Sequence, residues 1–166
     1  QSFMCREPEM KEWDKQHLRS AIALAQKARE HGNHPFGAVL ADQNGTVLLT
    51  AENTVITEDD PTGHAETNLV RQAARRYPRE FLADCTLYAS TEPCPMCAGA
   101  IFWGNIGRVV YGLSQDKMRQ IVGEDNPEIL DLSCREVLAR GKKPVSVLGP
   151  LLEDDAKSVH IGFWNG

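Results

Sequence analysis

Apolar and polar positions follow two different periods along this chain, and the switches between them mark its elements. Between residues 13 and 31 the apolar residues Leu18, Ala21, Ile22, Ala25 and Ala28 recur three and four apart, the spacing of one helix face, and Gly32-Asn33 ends the run. Two β-rich runs follow, "PFGAVLA" and "TVLLTAEN", separated by "DQNG". An Asn-Gly pair there predicts a hairpin, because both central residues tolerate positive φ. "PTGHAETNLVRQAARRY" predicts a helix that begins near Thr62 and ends before Pro78. "CTLYAS" returns to strand composition, "PMCAGAIFW" predicts a helix with proline in its first turn, and "RVVYGL" predicts another strand. Residues 114–140 read as mostly helical with a break at 123–127, and Ser133 is placed to cap the second piece. "PVSVLG" is a last strand, and residues 151–164 read as a closing helix.

Strands that alternate with helices in this way predict an α/β fold. The expectation is a three-layer α-β-α sandwich around a mixed, mostly parallel five-stranded sheet, antiparallel at its opening hairpin. Roughly thirty residues separate the last two strands, enough for a parallel crossover. No repeat, low-complexity segment or linker interrupts residues 13–166, which read as a single domain. Residues 1–12 read as a tag remnant and an N-terminal arm, with Gln1 and Ser2 ahead of Met4 set aside from fold reasoning.

Composition changes this picture little. A chain of 166 residues, 42% hydrophobic and 25% charged, suits one soluble domain with a real core. No apolar run approaches the roughly 20 residues of a membrane span. The first residues lack a basic-then-apolar export pattern, and five cysteines is an odd number. The expectation is a reduced, cytoplasmic protein without a disulfide framework. Net charge is −5, and the basic pairs Arg75-Arg76 and Lys142-Lys143 make no footprint for nucleic acid.

The chemistry lies in two short sequences that each open a predicted helix after strand-rich chain. One is His64-Ala65-Glu66 and the other Pro93-Cys94-Pro95-Met96-Cys97. Ligands of open α/β sheets gather outside the carboxyl ends of strands, so two such helix starts can converge there. Cys94 and Cys97 share one helix face, near a helix N-terminus that favours thiolates. With the imidazole of His64 they make three ligands suited to zinc, and three protein ligands is the catalytic arrangement, leaving a position for water. Glu66, two residues from His64, is the candidate proton shuttle. A redox role for the cysteine pair explains neither His64 nor Glu66. A structural zinc site wants a fourth ligand, for which Cys85 and Cys134 are the candidates, though Cys85 sits in a strand pattern.

In these residues the chain resembles the zinc-dependent cytidine deaminase-like superfamily, whose signature is H-x-E followed by P-C-x-x-C. The resemblance runs from the first helix to the last strand. It includes "PFGAVL", Asn53 after the second strand and "DPTGHAE" leading into the metal helix. It implies the fold just described and one Zn²⁺ per chain held by His64, Cys94 and Cys97, with Glu66 moving protons. Asn53, the backbone of Ala65, Phe36 and Trp103 would contact the substrate. The reaction implied is hydrolytic deamination: activated water attacks the amine-bearing ring carbon, and ammonia leaves.

The guanine and transfer-RNA adenosine deaminases are the branch that looks most similar, and a homodimer is implied with it. Among substrates a guanine-like purine base stands first. Phe36 and Trp103 in "HPFGAV" and "PCPMCAGAIFW" resemble the guanine enzymes, and Phe163-Trp164 supplies an aromatic pair to cap a pocket, from this chain or a partner's. Cytosine or another small aminated heterocycle stands second and RNA adenosine third, since the acidic closing segment suits phosphates poorly. An inactive scaffold subunit stands last, because Glu66 is present. Residues 114–131 match the guanine enzymes least, and Asp116, Glu124, Asp125 and Asp131 are candidates for reading the base. His17, His31, His34 and His160 read as surface or packing residues, and Cys5 as incidental.

Overall fold

The structure, a computed structural model, describes residues 8–164, so the reading of Cys5 and of the tag remnant lies outside the described residues. Five strands, β1 (Gly37–Ala41), β2 (Val47–Glu52), β3 (Thr86–Thr91), β4 (Arg108–Leu113) and β5 (Ser146–Leu148), form one sheet in the order β2-β1-β3-β4-β5. Helix α1 (Asp14–Glu30) and α7 (Glu153–Ser158) cover one face; α2 (Ala65–Arg76), α4 (Pro95–Trp103) and α6 (Cys134–Ala139) cover the other. The remaining helices are α3 (Arg79–Leu82) and α5 (Gln115–Val122).

Two cores follow from the alternation of side chains along the strands. Val39, Tyr88 and Val110 pack with Leu18, Ala21 and Ala25 of α1, while Leu40, Leu87 and Val109 pack with Leu69, Ala73 and Ile101. Both faces of β1, β3 and β4 are buried, which is why these strands read as continuous apolar runs. Gly37 permits a close approach of strand to helix: a Cβ there would lie 2.4 Å from the carbonyl oxygen of Ala21 on α1.

The three-layer sandwich stands as expected, with some local differences. β1 pairs antiparallel with β3 as well as with β2, so antiparallel pairing extends beyond the opening hairpin. β3, β4 and β5 are parallel. The hairpin turn is built around Asp42, whose Oδ1 accepts from the backbone N–H groups of Asn44 and Thr46, and only Gly45 of the Asn-Gly pair takes positive φ. α2 begins at Ala65, three residues later than the pattern suggests, because the Asp60 carboxylate accepts from Thr62 and folds residues 60–63 into a turn. The closing helix is one short piece, after which residues 159–164 run as turns.

At the amino end of α1, Asp14 is fully buried against Arg108, 2.6 Å away, and accepts from the Tyr88 hydroxyl at 2.6 Å. Burial alone raises such a carboxyl, but hydrogen bonds from Arg108, Tyr88 and the Lys11 N–H outweigh it and hold Asp14 below its usual value. The folded-state pKa is therefore below the unfolded one. The pair stabilises the fold above the unfolded carboxyl's pKa and ceases to as pH falls through the folded one. Asp14→Ala leaves Arg108 buried without its partner, and denaturant unfolding is expected to show a loss of about 3 kcal/mol.

Candidate active site

Four chain segments meet at one edge of the sheet: the carboxyl ends of β2, β3 and β4 and the amino end of β1. His64 follows β2 through the turn at 60–63, and α2 is moored to that strand end because the Asn68 Nδ2 donates to the carbonyl of Glu52 and to the Thr54 hydroxyl. Cys94 follows β3 and opens α4, with Pro95 as the first helical residue and Cys97 one turn on. His64 and Cys94 both occupy N-cap positions, yet neither side chain caps its helix. By contrast Ser114 and Ser133, which open α5 and α6, accept from Lys117 and Glu136. Two helices thus forgo a cap worth about 1 kcal/mol each, and their first side chains turn to one another instead.

The Nδ1 of His64 lies 3.5 Å from the sulfur of Cys94 and 3.5 Å from that of Cys97, and the three ligand atoms all fall within 4.8 Å. With zinc–sulfur bonds of about 2.3 Å and zinc–nitrogen bonds of about 2.0 Å, a tetrahedral site has a nitrogen–sulfur edge of about 3.5 Å. The donor set therefore fits zinc in both chemistry and spacing. Cys94 is drawn down and Cys97 pushed up, because the thiol of Cys97 donates to the sulfur of Cys94. His64 is raised, first by its bond to Cys94. Thr67 adds a contact at 3.7 Å to the Cys97 sulfur while its hydroxyl donates to the Thr62 carbonyl. Cys85 and Cys134 are buried in the core and are not part of the metal cluster.

Glu66, in the first turn of α2, is 6% exposed and lines the same cavity as His64 and Cys94. Burial, with the nearby Cys94 sulfur second, pushes its carboxyl up to about 7. The cavity has a volume of about 390 Å³, within the range of small-molecule sites. Phe36, Val55 and Trp164 supply apolar wall, and Met118, Val122 and Ile129 close the side formed by residues 115–130.

Of the predicted substrate contacts, Phe36 lines the cavity. Asn53 is buried one step behind that wall. Its N–H donates to the Phe36 carbonyl and its Oδ1 accepts from the Val55 N–H, while its own side lines a second, polar hollow. Ala65 is fully buried between the two catalytic candidates that flank it in sequence. Trp103 lies away from this cavity. It stands at the far end of α4 from Cys94, is 74% exposed and does not line the cavity. The acids proposed to read the base are paired or exposed. Arg119 holds Asp116, Glu124 and Asp131 in ion pairs, so these carboxylates face the guanidinium, and Asp125 is exposed. Gln115, Asn126 and Glu128 line the cavity in their place.

Two histidines matter more than their sequence context shows. His34 is half-buried in the cavity wall, edge-on to the rings of Phe163 and Trp164. His160 is buried, and burial lowers it to about 4, so it is neutral at pH 7. Its Nδ1 accepts from the Trp164 Nε1–H at 3.0 Å, and its Nε2 lies 3.4 Å from the Thr91 hydroxyl. Trp164 of the same chain is thereby held in the cavity wall. Neither histidine carries a spacing signal. His34 precedes an unremarkable strand, and His160 meets Thr91 only through the tertiary fold.

A sequence model of the cytidine and deoxycytidylate deaminase zinc-binding region matches residues 11–113. The chain belongs to this family of zinc-dependent hydrolytic deaminases, and zinc is its cofactor. Among individual proteins it is 44% identical to the "Probable cytosine deaminase" of Schizosaccharomyces pombe over 161 residues, 95% of this chain and 96% of that one. It is 42% identical to the guanine deaminase of Bacillus subtilis over 95 residues, 57% of this chain and 60% of that one. The solved guanine deaminase of Nitrosomonas europaea shares the fold, with a TM-score of 0.70 at 21% identity over 94% of this chain and 87% of that one. No helix among the described residues is long and apolar enough to cross a membrane.

Proposed function

We propose that the protein removes the exocyclic amine of a free nucleobase by hydrolysis, with His64, Cys94 and Cys97 as zinc ligands and Glu66 as the proton-transferring group. Zinc at this triad supplies a Lewis acid that acidifies a water toward neutral pH. The chain's own residues supply the rest. Glu66, aimed into the cavity from the first turn of α2, takes one proton from the attacking water and gives it to the ring nitrogen beside the amine, then takes the second proton from the added hydroxyl as the carbonyl forms and gives it to the amine, which leaves as ammonia. Phe36 and Trp164 hold the flat ring and exclude bulk water. Asn53 acts through the backbone of Phe36 and Val55, to which it is bonded.

The observation that carries the choice of a free base is Trp164. Residues 159–164 bring Trp164 into the cavity wall, where its Nε1–H is held by His160. A base still attached to a polymer would have to be accommodated beside this ring. The lining adds a second argument, since Arg119, the one guanidinium lining the cavity among the described residues, is already shared among three carboxylates and offers little to a phosphate. Trp164→Ala is expected to raise KM for the base roughly tenfold with a smaller effect on kcat, measured by steady-state ammonia release.

Similarity over nearly the whole chain to a protein described as a cytosine deaminase favours cytosine as the base. Guanine remains the second reading, supported by a cavity volume that admits a bicyclic ring. The argument from Trp103 no longer supports a purine, because that side chain is exposed elsewhere. A homodimer is implied by resemblance, and Trp164 lines the cavity from within the same chain. The deciding experiment is a screen of ammonia release from cytosine, guanine, adenine, their nucleosides and a transfer-RNA anticodon stem-loop. Turnover of free bases is expected; turnover of the RNA alone would overturn the reading.

A further inference from the structure

Between β4 and α6 the chain makes a long excursion, and it supplies much of the cavity wall: Met118, Arg119, Val122, Asn126, Glu128 and Ile129 all come from it. Its middle is irregular, from the end of α5 at Val122 to the start of α6 at Cys134. No residue of α5 is fully buried, and Met118 and Ile121 are its partly buried contacts with the core, so its packing alone fixes this wall loosely. Both ends of the excursion, however, reach the same side chain. The Glu92 Oε1 accepts from the Gln115 N–H at 3.1 Å, and its Oε2 accepts from the Cys134 N–H at 3.0 Å. Gln115 and Cys134 are the first residues of α5 and α6, so one carboxylate sits against two helix N-termini, where charge and free N–H groups both favour it.

Glu92 itself is held rigidly. It is 8% exposed, its N–H donates to the Leu113 carbonyl at 2.7 Å, and the Gln115 Nε2 donates to the Pro93 carbonyl next door at 3.0 Å. Two residues further on stands Cys94. We infer that Glu92 is the positioning residue for the substrate-facing wall. Its two oxygens clasp both ends of the excursion to the strand end that carries the metal loop, and so set the distance between that wall and the reacting centre. Each oxygen of the carboxylate is engaged by one helix N–H, which fixes its orientation. This separates it from Glu66, although both line the cavity. The inference rests on the proposed reading of the site for its effect on turnover but not for its effect on the wall.

Glu92→Gln separates a positioning role from a merely structural one. Its single carbonyl oxygen can accept from one helix start, while its amide turns a donor toward the other and releases that end. In the zinc-loaded full chain, amide hydrogen exchange across residues 116–133 is expected to rise roughly tenfold in Glu92→Gln, with α1 and β1 unchanged. Zinc content stays as in the wild type. KM for cytosine or guanine, whichever the wild type turns over, rises about tenfold while kcat falls less than threefold. Glu92→Asp, too short to span both ends, gives the same pattern. Unchanged exchange over 116–133 would overturn the inference, and so would a uniform rise across the whole sheet, which marks a general loss of stability. The exchange experiment needs no substrate. If the wild type deaminates neither base, the reading of the function fails while the clasp is still tested.

Discussion

Glu66→Ala is expected to keep its zinc and lose ammonia release by a thousandfold or more, about the upper range for removal of a general acid–base group. The size of the effect follows from the lack of a substitute. Three glutamates line the cavity among the described residues: Glu66, Glu92 and Glu128. Both oxygens of Glu92 are occupied by backbone N–H groups, and Glu128 stands exposed on the outer wall. Neither can take over. The same variant should unfold no earlier than the wild type, and somewhat later, because a carboxylate buried without an ion-pair partner costs stability that alanine does not. Activity lost while the melting temperature holds or rises is the signature of a site residue. A residue needed for packing would lose both.

Removing a ligand is expected to have the second large effect, and through a different route. Cys97 is fully buried at the start of α4, and Cys97→Ala deletes one of three donors spaced at the edges of a zinc tetrahedron. Metal analysis should find zinc reduced to about a tenth of the wild-type content or less, with activity at background. Stability should drop as well, since metal binding contributes directly to folding. A chelator should mimic the variant in the wild-type chain. Added zinc restores the stripped wild type and leaves Cys97→Ala inactive. Cys134→Ala is the matched control. That cysteine is equally buried, but it packs in the core with Leu138, and its loss should leave zinc content unchanged.

The two motifs and the period changes were enough to place the fold and the metal triad. The reason is physical: His64, Cys94 and Cys97 lie in short motifs whose spacing a helix start makes meaningful, and β1, β3 and β4 announce themselves by being buried on both faces. Features that depend on contacts between distant segments were not legible. The antiparallel pairing of β1 with β3 is decided by where α2 crosses the sheet, which no local pattern records. Trp103 reads as a substrate contact by resemblance to the guanine enzymes, yet a helix of nine residues carries it away from the metal end. The acids of the 114–131 segment looked free to meet substrate; Arg119, only visible as their partner in three dimensions, claims three of them. His34 and His160 show the converse, gaining their places at the cavity from the fold of the chain's last residues.

The central claim is hydrolysis of a free base at the zinc triad, and oxygen labelling tests it most directly. The zinc-loaded protein is incubated with cytosine, and separately with guanine, in water enriched in heavy oxygen, and the product is weighed by mass spectrometry. The expected result is a product that has exchanged its amine for one labelled oxygen, with an equal amount of ammonia released and neither formed by Glu66→Ala. A zinc-loaded chain that converts neither base, or a deaminated product that carries no label, would contradict it.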